Sequence, residues 1–238
     1  MDQSGEIMAM QPWQVEALRF SFLNTMTGVG EQDFSWTTLT SSEPDTISEK
    51  RALGLRTEEG AWLSGHLVVN KQHGRIDVIY SALPKDTPLP DAGSFFELME
   101  AVKPWYARFK SIGAKRFGFG GVVLLPVESV ASGYEQLKSF LPFVKFESDM
   151  SDFFLQVNRK KNISGLSFNE LSKWSCIEIK AVQITEAGVT EQGGVHAVRL
   201  EFDINNAELI DAADEAVRLE IFKCFDERVT SLATIGAK

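Results

Sequence analysis

The sequence predicts an α+β fold of two halves, each with strands followed by a helix. The strands form antiparallel sheet, and long amphipathic helices pack on one face of it. Segments that alternate apolar and polar residues occur in two groups, and each group ends in a segment with helical apolar spacing. The composition, 44% hydrophobic and 24% charged over 238 residues, is that of a globular protein. We therefore expect one domain, 1–238, of two similar halves, about 14–112 and 151–235, joined by a strand and helix in 113–150.

Four segments of the first half have the composition of strands. In the first of them, Leu18 and Phe20 alternate with Arg19 and Ser21, as on a sheet with one buried face. The connection Lys71-Gln72-His73-Gly74 is short and ends in glycine, which is typical of a hairpin. The expected strands are residues 15–23, 51–56, 61–70 and 75–80.

A long amphipathic helix should close the first half. Ser94 and Glu97 have the Ser-x-x-Glu spacing of a capping box, so the helix should begin near Phe95. Pro104 should kink or divide it, because a proline inside a helix removes one hydrogen bond. The apolar residues that form one stripe, and that we expect to pack on the sheet, are Phe95, Leu98, Met99, Val102, Trp105, Tyr106 and Phe109.

The rest of the chain also places strands before a helix. The joining segment contains a strand over 115–125 and a helix within 126–142, where two prolines bracket residues with helical spacing. The most regular strand of the second half is 195–204, which alternates apolar with charged residues throughout. Its closing helix should begin at Asn205 or Asn206, because asparagine is a common N-terminal cap.

The charge balance restricts the class of partner. The formal net charge is −9, which opposes approach to the phosphates of nucleic acid or to anionic lipid. The dense basic run Arg159-Lys160-Lys161 is typical of a solvated turn. Acidic segments such as Glu43 to Glu49 would instead complement a basic protein. We expect a protein partner rather than nucleic acid or a membrane, and the sequence leaves the oligomeric state open.

Cysteine usage and the N-terminal segment predict the compartment. Cys176 and Cys224 are too far apart in sequence for a metal-ligand pair, and both lie in segments typical of a protein core. The segment Met1 to Glu6 is acidic where a secretion signal would be basic, and no apolar run is long enough to cross a bilayer. The sequence therefore predicts a cytoplasmic protein.

The sequence contains no standard catalytic, cofactor or metal motif. His66 and His196 lie on expected strands and His73 in a turn, so no two histidines have ligand spacing. The run Gly118-Phe119-Gly120-Gly121 lacks the third glycine of a dinucleotide loop and the Gly-Lys-Ser/Thr of a P-loop. Glycine inside a strand more often indicates a bulge or a close backbone approach. We expect no catalytic residue, cofactor or metal, and the sequence favours binding over catalysis.

Two alternatives remain open. A long helix closing over a sheet would surround an apolar pocket with Trp62, Trp105 and Trp174, and His66 and His196 complete the candidate pocket or interface residues. Such a pocket would belong to a small-molecule-binding protein or an enzyme. The surplus of phenylalanine, 17 residues against 3 tyrosines, would alternatively line the exposed apolar groove of a chaperone-like protein.

Three segments carry a resemblance to a known group. They are Val15-Glu16-Ala17, the strand Lys115 to Gly120 after the long helix, and Val198 to Ile204 before an acidic helix that ends in Phe225 to Thr230. With these segments the chain resembles the sporadically distributed, uncharacterised bacterial proteins of about this size, over nearly its whole length. The resemblance implies a patchy distribution of the kind seen for mobile-element, defence or toxin-neutralising genes. It brings no catalytic residue with it.

These observations together predict a non-catalytic macromolecule-binding protein. The resemblance suggests its setting, as an accessory or neutralising component of a bacterial conflict system such as phage defence or toxin–antitoxin. The chaperone-like protein and the small-molecule-binding protein or enzyme are the alternatives.

Overall fold

The computed structural model describes residues 12–25, 34–84, 88–147, 149–180, 182–185, 188–191, 194–211 and 214–237. Within these residues the chain is mixed α+β, with nine strands in one antiparallel sheet and four α-helices. The predicted α+β class with an antiparallel sheet is therefore confirmed. The acidic segment Met1 to Glu6 lies outside the described residues.

Strands and helices follow one another in two sets along the chain. The strands are β1 Gln14–Leu23, β2 Thr46–Lys50, β3 Leu55–Trp62, β4 Gly65–Gln72, β5 Arg75–Ser81, β6 Arg116–Val127, β7 Phe154–Ile163, β8 Leu166–Ile179, β9 Val182–Thr185, β10 Gly188–Glu191 and β11 Val195–Asn206. The helices are α1 Trp36–Thr40, α2 Phe95–Phe109, α3 Val130–Phe140 and α4 Glu215–Ile235. The sheet order is β2-β3-β4-β5-β1-β6-β11-β8-β7, and β9 pairs with β10 in a separate hairpin.

The two sets have a similar order of elements. β1 and β6 each open a set, each is followed by a shorter helix, and they pair with each other near the middle of the sheet. The long helices α2 and α4 close the sets. In this order β6 and α3 stand at the start of the second set rather than between two halves. The division into similar halves, 14–112 and 151–235, stays a prediction.

One face of the sheet carries the aromatic core. Phe20 of β1 stacks on Phe119 of β6, with ring centroids 4.2 Å apart. Phe22 of β1 lies 4.9 Å from Phe109 of α2 and 6.0 Å from Phe222 of α4, measured between ring centroids. All seven residues of the apolar stripe on α2 are buried. The Phe22 ring of β1 is therefore close to one aromatic ring from each long helix.

Helix α2 begins where the capping signal places it. Its first residue is Phe95, and the Ser94 hydroxyl accepts a hydrogen bond from the Glu97 amide. The helix is not divided at Pro104 and runs without interruption to Phe109. Buried residues on both sides of the proline fix the two parts of the helix in one position, so that packing outweighs the single lost hydrogen bond.

The start of the closing helix was predicted wrongly. Asn205 and Asn206 are the last residues of β11, and α4 begins only at Glu215, where Asp214 is the cap. Asn206 is buried, and its carboxamide oxygen accepts a hydrogen bond from the Phe117 amide at 2.6 Å. An asparagine side chain satisfies backbone groups at the end of a strand as readily as at the start of a helix, so residue type alone did not separate the two.

The basic run Arg159 to Lys161 lies within β7 and not in a turn. β7 is an edge of the nine-stranded sheet as described, pairing there with β8. The Lys161 Nζ lies 3.2 Å from a carboxylate oxygen of the buried Glu170. Lysine on an edge strand opposes further strand pairing, which gives the run a structural role.

Candidate functional site

The structure brings only two of the three candidate tryptophans together. The rings of Trp62 and Trp105 have centroids 4.7 Å apart, and the Trp105 indole donates a hydrogen bond to the Leu39 carbonyl at 2.9 Å. Trp174 is fully buried elsewhere in the core, where its ring stacks on Phe140 at 5.3 Å. These contacts make Trp105 and Trp174 core residues of two different regions.

The two candidate histidines lie on different strands. His66 is on β4 and His196 on β11, with β5, β1 and β6 between them. Four strand spacings separate them by roughly 19 Å, too far to act on one ligand atom. The Nδ1 atom of His196 is buried and has no hydrogen-bond partner among the described residues. The described residues also contain no group of three His, Cys, Asp or Glu side chains placed to hold a metal ion.

A buried carboxylate beneath α1 has a structural role. Glu58 accepts hydrogen bonds from the Trp36 amide at 2.7 Å and from Arg56 at 2.8 Å, and the Lys71 Nζ lies 3.3 Å away. Burial alone would raise the pKa of Glu58, but these hydrogen bonds and charges hold the pKa below its usual range. The cluster therefore attaches α1 to β3 and β4.

A groove of about 790 Å³ lies between α2 and α4, and we call it the acidic groove. On each helix its residues recur at spacings of three and four, which places them on one side of that helix. On α4 they include small hydroxyl residues, and on α2 they include apolar side chains. The residues that line the acidic groove are Phe96, Glu97, Met99, Glu100, Lys103, Asp226, Glu227, Thr230, Ser231 and Thr234.

The acidic groove has a strong excess of negative charge. Its lining has four carboxylates and one lysine. The Lys103 Nζ lies 2.5 Å from a Glu100 oxygen but 3.9 Å from the nearer oxygen of Asp226. The Asp226 side chain is only 21% exposed, and burial raises its pKa, with Lys103 opposing and Glu100 and Glu227 adding to the shift. Asp226 is therefore a half-buried carboxylate whose charge is poorly compensated.

A buried tyrosine lies close to these carboxylates. Tyr106 of α2 is 6% exposed, and its hydroxyl has no hydrogen-bond partner among the described residues. Burial raises the pKa of Tyr106, and the charges of Asp226 and Glu100 raise it further. The hydroxyl is thus within electrostatic reach of the acidic groove. An unsatisfied buried hydroxyl costs free energy that a new acceptor or a water would recover.

The sequence matches no protein-family model and no curated protein. The resemblance to the sporadic bacterial group therefore stays a prediction. Of the helices in the described part of the chain, none has both the length and the apolar character needed to cross a membrane.

Sequence reasoning missed the acidic groove. It assigned the residues of α2 to a single apolar stripe. Glu97 and Glu100 lie just beside that stripe, together with Phe96, and this mixed second face was the available signal. Only the tertiary contact between α2 and α4 joins the two acidic faces into one groove.

Proposed function

We propose that this protein is a non-catalytic binding protein that holds a basic segment of a partner protein in the acidic groove. The observation that carries the proposal is Asp226, half-buried between two helices and 3.9 Å from a lysine that Glu100 already engages at 2.5 Å. A lysine or arginine of the partner would supply the missing positive charge.

The shape of the acidic groove supports a helical partner. Grooves between helices accept an amphipathic helix through apolar side chains at spacings of three and four. Phe96, which is only partly buried, offers the apolar contact, while Thr230 and Thr234 are small enough to leave room beside α4. The residues of α2 that line the groove run from Phe96 to Lys103, about 11 Å along the helix axis, which is enough to contact about two turns of a partner helix.

The carboxylates of the acidic groove support a basic partner. An exposed and a half-buried carboxylate would affect its binding in different ways. Glu100 is 71% exposed, so its attraction is screened by salt and acts mainly on the association rate. Asp226 is half-buried, so a cation that reaches it forms a stronger and less screened ion pair. The net charge of −9 favours approach of the same class of partner.

A biological setting in a bacterial conflict system, such as phage defence or toxin–antitoxin, is part of the same proposal. Accessory or neutralising components of conflict systems act by holding another protein, and a basic helix is a segment that such a protein would present. Both cysteines of the chain are free thiols, which supports a cytoplasmic location. A chaperone-like protein would use the acidic groove through its apolar residues alone, so salt dependence separates the two functions.

A peptide titration tests the proposal. The probe is a fluorescently labelled amphipathic peptide of leucine, lysine and alanine, with lysines along one face, and its anisotropy reports binding. We expect saturable binding that weakens as salt rises. The double variant Glu100→Gln/Glu227→Gln should weaken it by about tenfold, which is about 1.4 kcal/mol.

The matched control removes the same charge from another surface. Glu135→Gln/Glu147→Gln also deletes two exposed carboxylates that pair with lysines. We expect this variant to bind like the parent protein. Equal weakening by both double variants would reduce the effect to net charge, and salt-independent binding would favour the chaperone-like function; either result refutes the proposal.

A further inference from the structure

A second concave site lies on the face of the sheet opposite the aromatic core. The alternation that buries Phe20 and Phe119 turns Arg19 and Gly120 to this other face. A cavity of about 340 Å³, which we call the arginine cup, opens there across β5, β1, β6 and β11. Its lining residues are Arg19, Ser21, Leu23, Arg75, Arg116, Phe117, Gly118, Gly120, Asp203 and Asn205.

Two glycines form the floor of the arginine cup. In the register of the sheet, Gly120 lies between Arg19 on β1 and Asp203 on β11. Gly118 lies between Ser21 and Asn205 in the same way, two residues along the strand. Polar side chains on the neighbouring strands thus stand on both sides of a strip of bare backbone.

Neither packing nor backbone conformation requires glycine at position 118. A Cβ atom there would meet the Asn205 Cβ at 3.8 Å and the Ser21 Cβ at 3.9 Å, which are ordinary contacts. The backbone of Gly118 is also outside the left-handed region. Glycine weakens a strand, so its presence costs stability that no contact recovers. Its structural effect is to keep the floor of the cup open.

Two of the three arginines in the cup are held in place. Arg75 makes a bidentate contact with Asp77, its Nε 2.5 Å from Oδ2 and its Nη2 3.1 Å from Oδ1. Arg116 donates to the Asn205 carboxamide oxygen at 3.1 Å. A guanidinium group has five N–H donors, so each retains donors after these contacts.

Arg19 is the least engaged of the three. Its side chain is 48% exposed, and its nearest carboxylate partner is Asp203 at 4.0 Å. Three guanidinium groups against the carboxylates of Asp77 and Asp203 leave one positive charge in excess at this site. That excess contrasts with the net charge of −9 for the whole chain.

A partly apolar trough of about 460 Å³ adjoins the arginine cup and shares Arg19, Gly120 and Asp203 with it. Its lining includes the apolar side chains of Ala17, Ile79, Val122 and Leu171 on the same face, together with the ion pair of Lys173 and Glu201, whose Nζ and carboxylate oxygen lie 2.6 Å apart. The cup and trough together therefore offer a cationic end and an apolar body, the combination that holds an amphiphilic anion.

The geometry points to a binding site for a small monoanionic organic acid, with its carboxylate between Arg19 and Arg116 and its apolar body in the trough. Arginine pairs with carboxylates in a planar fork geometry, and one excess positive charge matches one negative charge. The neighbouring carboxylates of Asp77 and Asp203 would repel a phosphate dianion. This site is independent of the acidic groove, which lies against the other side of the sheet.

Titration followed by nuclear magnetic resonance tests the site. Benzoate is the probe, its uncharged isostere benzamide is the control, and inorganic phosphate is the third arm. We expect benzoate to shift the amide signals of Gly118 and Gly120 saturably, and benzamide to bind at least about tenfold more weakly. Equal binding of benzamide, or stronger binding of phosphate than of benzoate, would overturn the proposed ligand class.

Amino-acid substitutions test whether benzoate binds in the arginine cup. Arg19→Gln should weaken benzoate about tenfold, the usual size of one charge-assisted contact. Gly118→Val should fill the floor and abolish binding, while the dispersion of the amide spectrum reports that the fold is intact. Arg51→Gln, which alters an arginine that is 93% exposed elsewhere, is the matched control and should leave affinity unchanged. Unaltered affinity in both cup variants would overturn the site, whatever the acidic groove binds.

Discussion

At the scale of single residues, the glycines of β6 show where sequence reasoning succeeds and where it stops. The expected close backbone approach is confirmed at Gly121, where a Cβ atom would lie 2.4 Å from the Leu18 Cδ2 and 2.8 Å from the Ala17 carbonyl oxygen. Gly118 belongs to the same run but faces the open side of the sheet. The sequence places the glycines of the run in one strand. Only the strand register shows that Gly121 is closely packed and that Gly118 lies on the open floor of the arginine cup.

This difference predicts opposite effects of the same substitution. Gly121→Ala should lower the free energy of unfolding by about 2 to 3 kcal/mol, because backbone lies against the new methyl group and has little freedom to move. Gly118→Ala should leave it unchanged or raise it by up to about 1 kcal/mol, since alanine restricts the unfolded chain. Urea unfolding of both variants measures the difference, and a larger loss at Gly118 would contradict the assigned faces.

At the scale of elements, local sequence signals predicted the start of α2 better than the start of α4. The first residue of α2 followed from Ser94 and Glu97, and the buried side from the apolar stripe. The start of α4 was placed too early, because Asn205 and Asn206 extend β11 and a loop precedes the true cap. Strand pairing with β6 and β8 decided the role of these asparagines, and such long-range pairing is not visible in local propensity.

The cap of α4 gives a prediction at this scale. The Asp214 carboxylate accepts a hydrogen bond from the Val217 amide at 3.0 Å, which satisfies one of the unpaired amides of the first turn. Asp214→Ala should therefore cost about 1 kcal/mol of stability, while Asp214→Asn should cost much less because asparagine also caps. Thermal unfolding of both variants checks this, and equal losses would mean that the cap does not fix the start of the helix.

At the scale of the whole molecule, composition predicts a basic partner but not where such a partner would bind. The acidic groove needs α2 and α4 side by side, and the arginine cup needs four strands in register. Both depend on the sheet order, which places β1 and β6 at the centre. The three tryptophans of the candidate pocket are separated by the same topology, which puts Trp174 in a different part of the core from Trp62 and Trp105.

The burial of the Asp226 carboxylate should cost stability. Burial raises the pKa of Asp226, so the folded protein binds its proton more tightly than the unfolded chain, and stability falls as the pH rises through the interval between the two pKa values. Lys103 opposes the shift, while Glu100 and Glu227 add to it. Above this interval the cost is fully present, and Asp226→Asn should remove it.

The variant should therefore trade function for stability. We expect Asp226→Asn to raise the free energy of unfolding at pH 7 by about 0.5 to 1 kcal/mol, with the gain shrinking toward acidic pH, and to weaken the basic peptide. Glu135→Gln serves as the surface control, because its carboxylate is exposed and paired with Lys138. A stability loss at pH 7 would show that Asp226 is a structural ion-pair residue instead.

The most direct test of the central claim, that a basic partner segment binds between α2 and α4, is a map of amide chemical shifts with the basic amphipathic peptide added. The proposed function predicts saturable shifts at Thr230 and Thr234 in the acidic groove, with Gly118 and Gly120 in the arginine cup unaffected. Shifts confined to the arginine cup, or no saturable shift in the acidic groove, would contradict it.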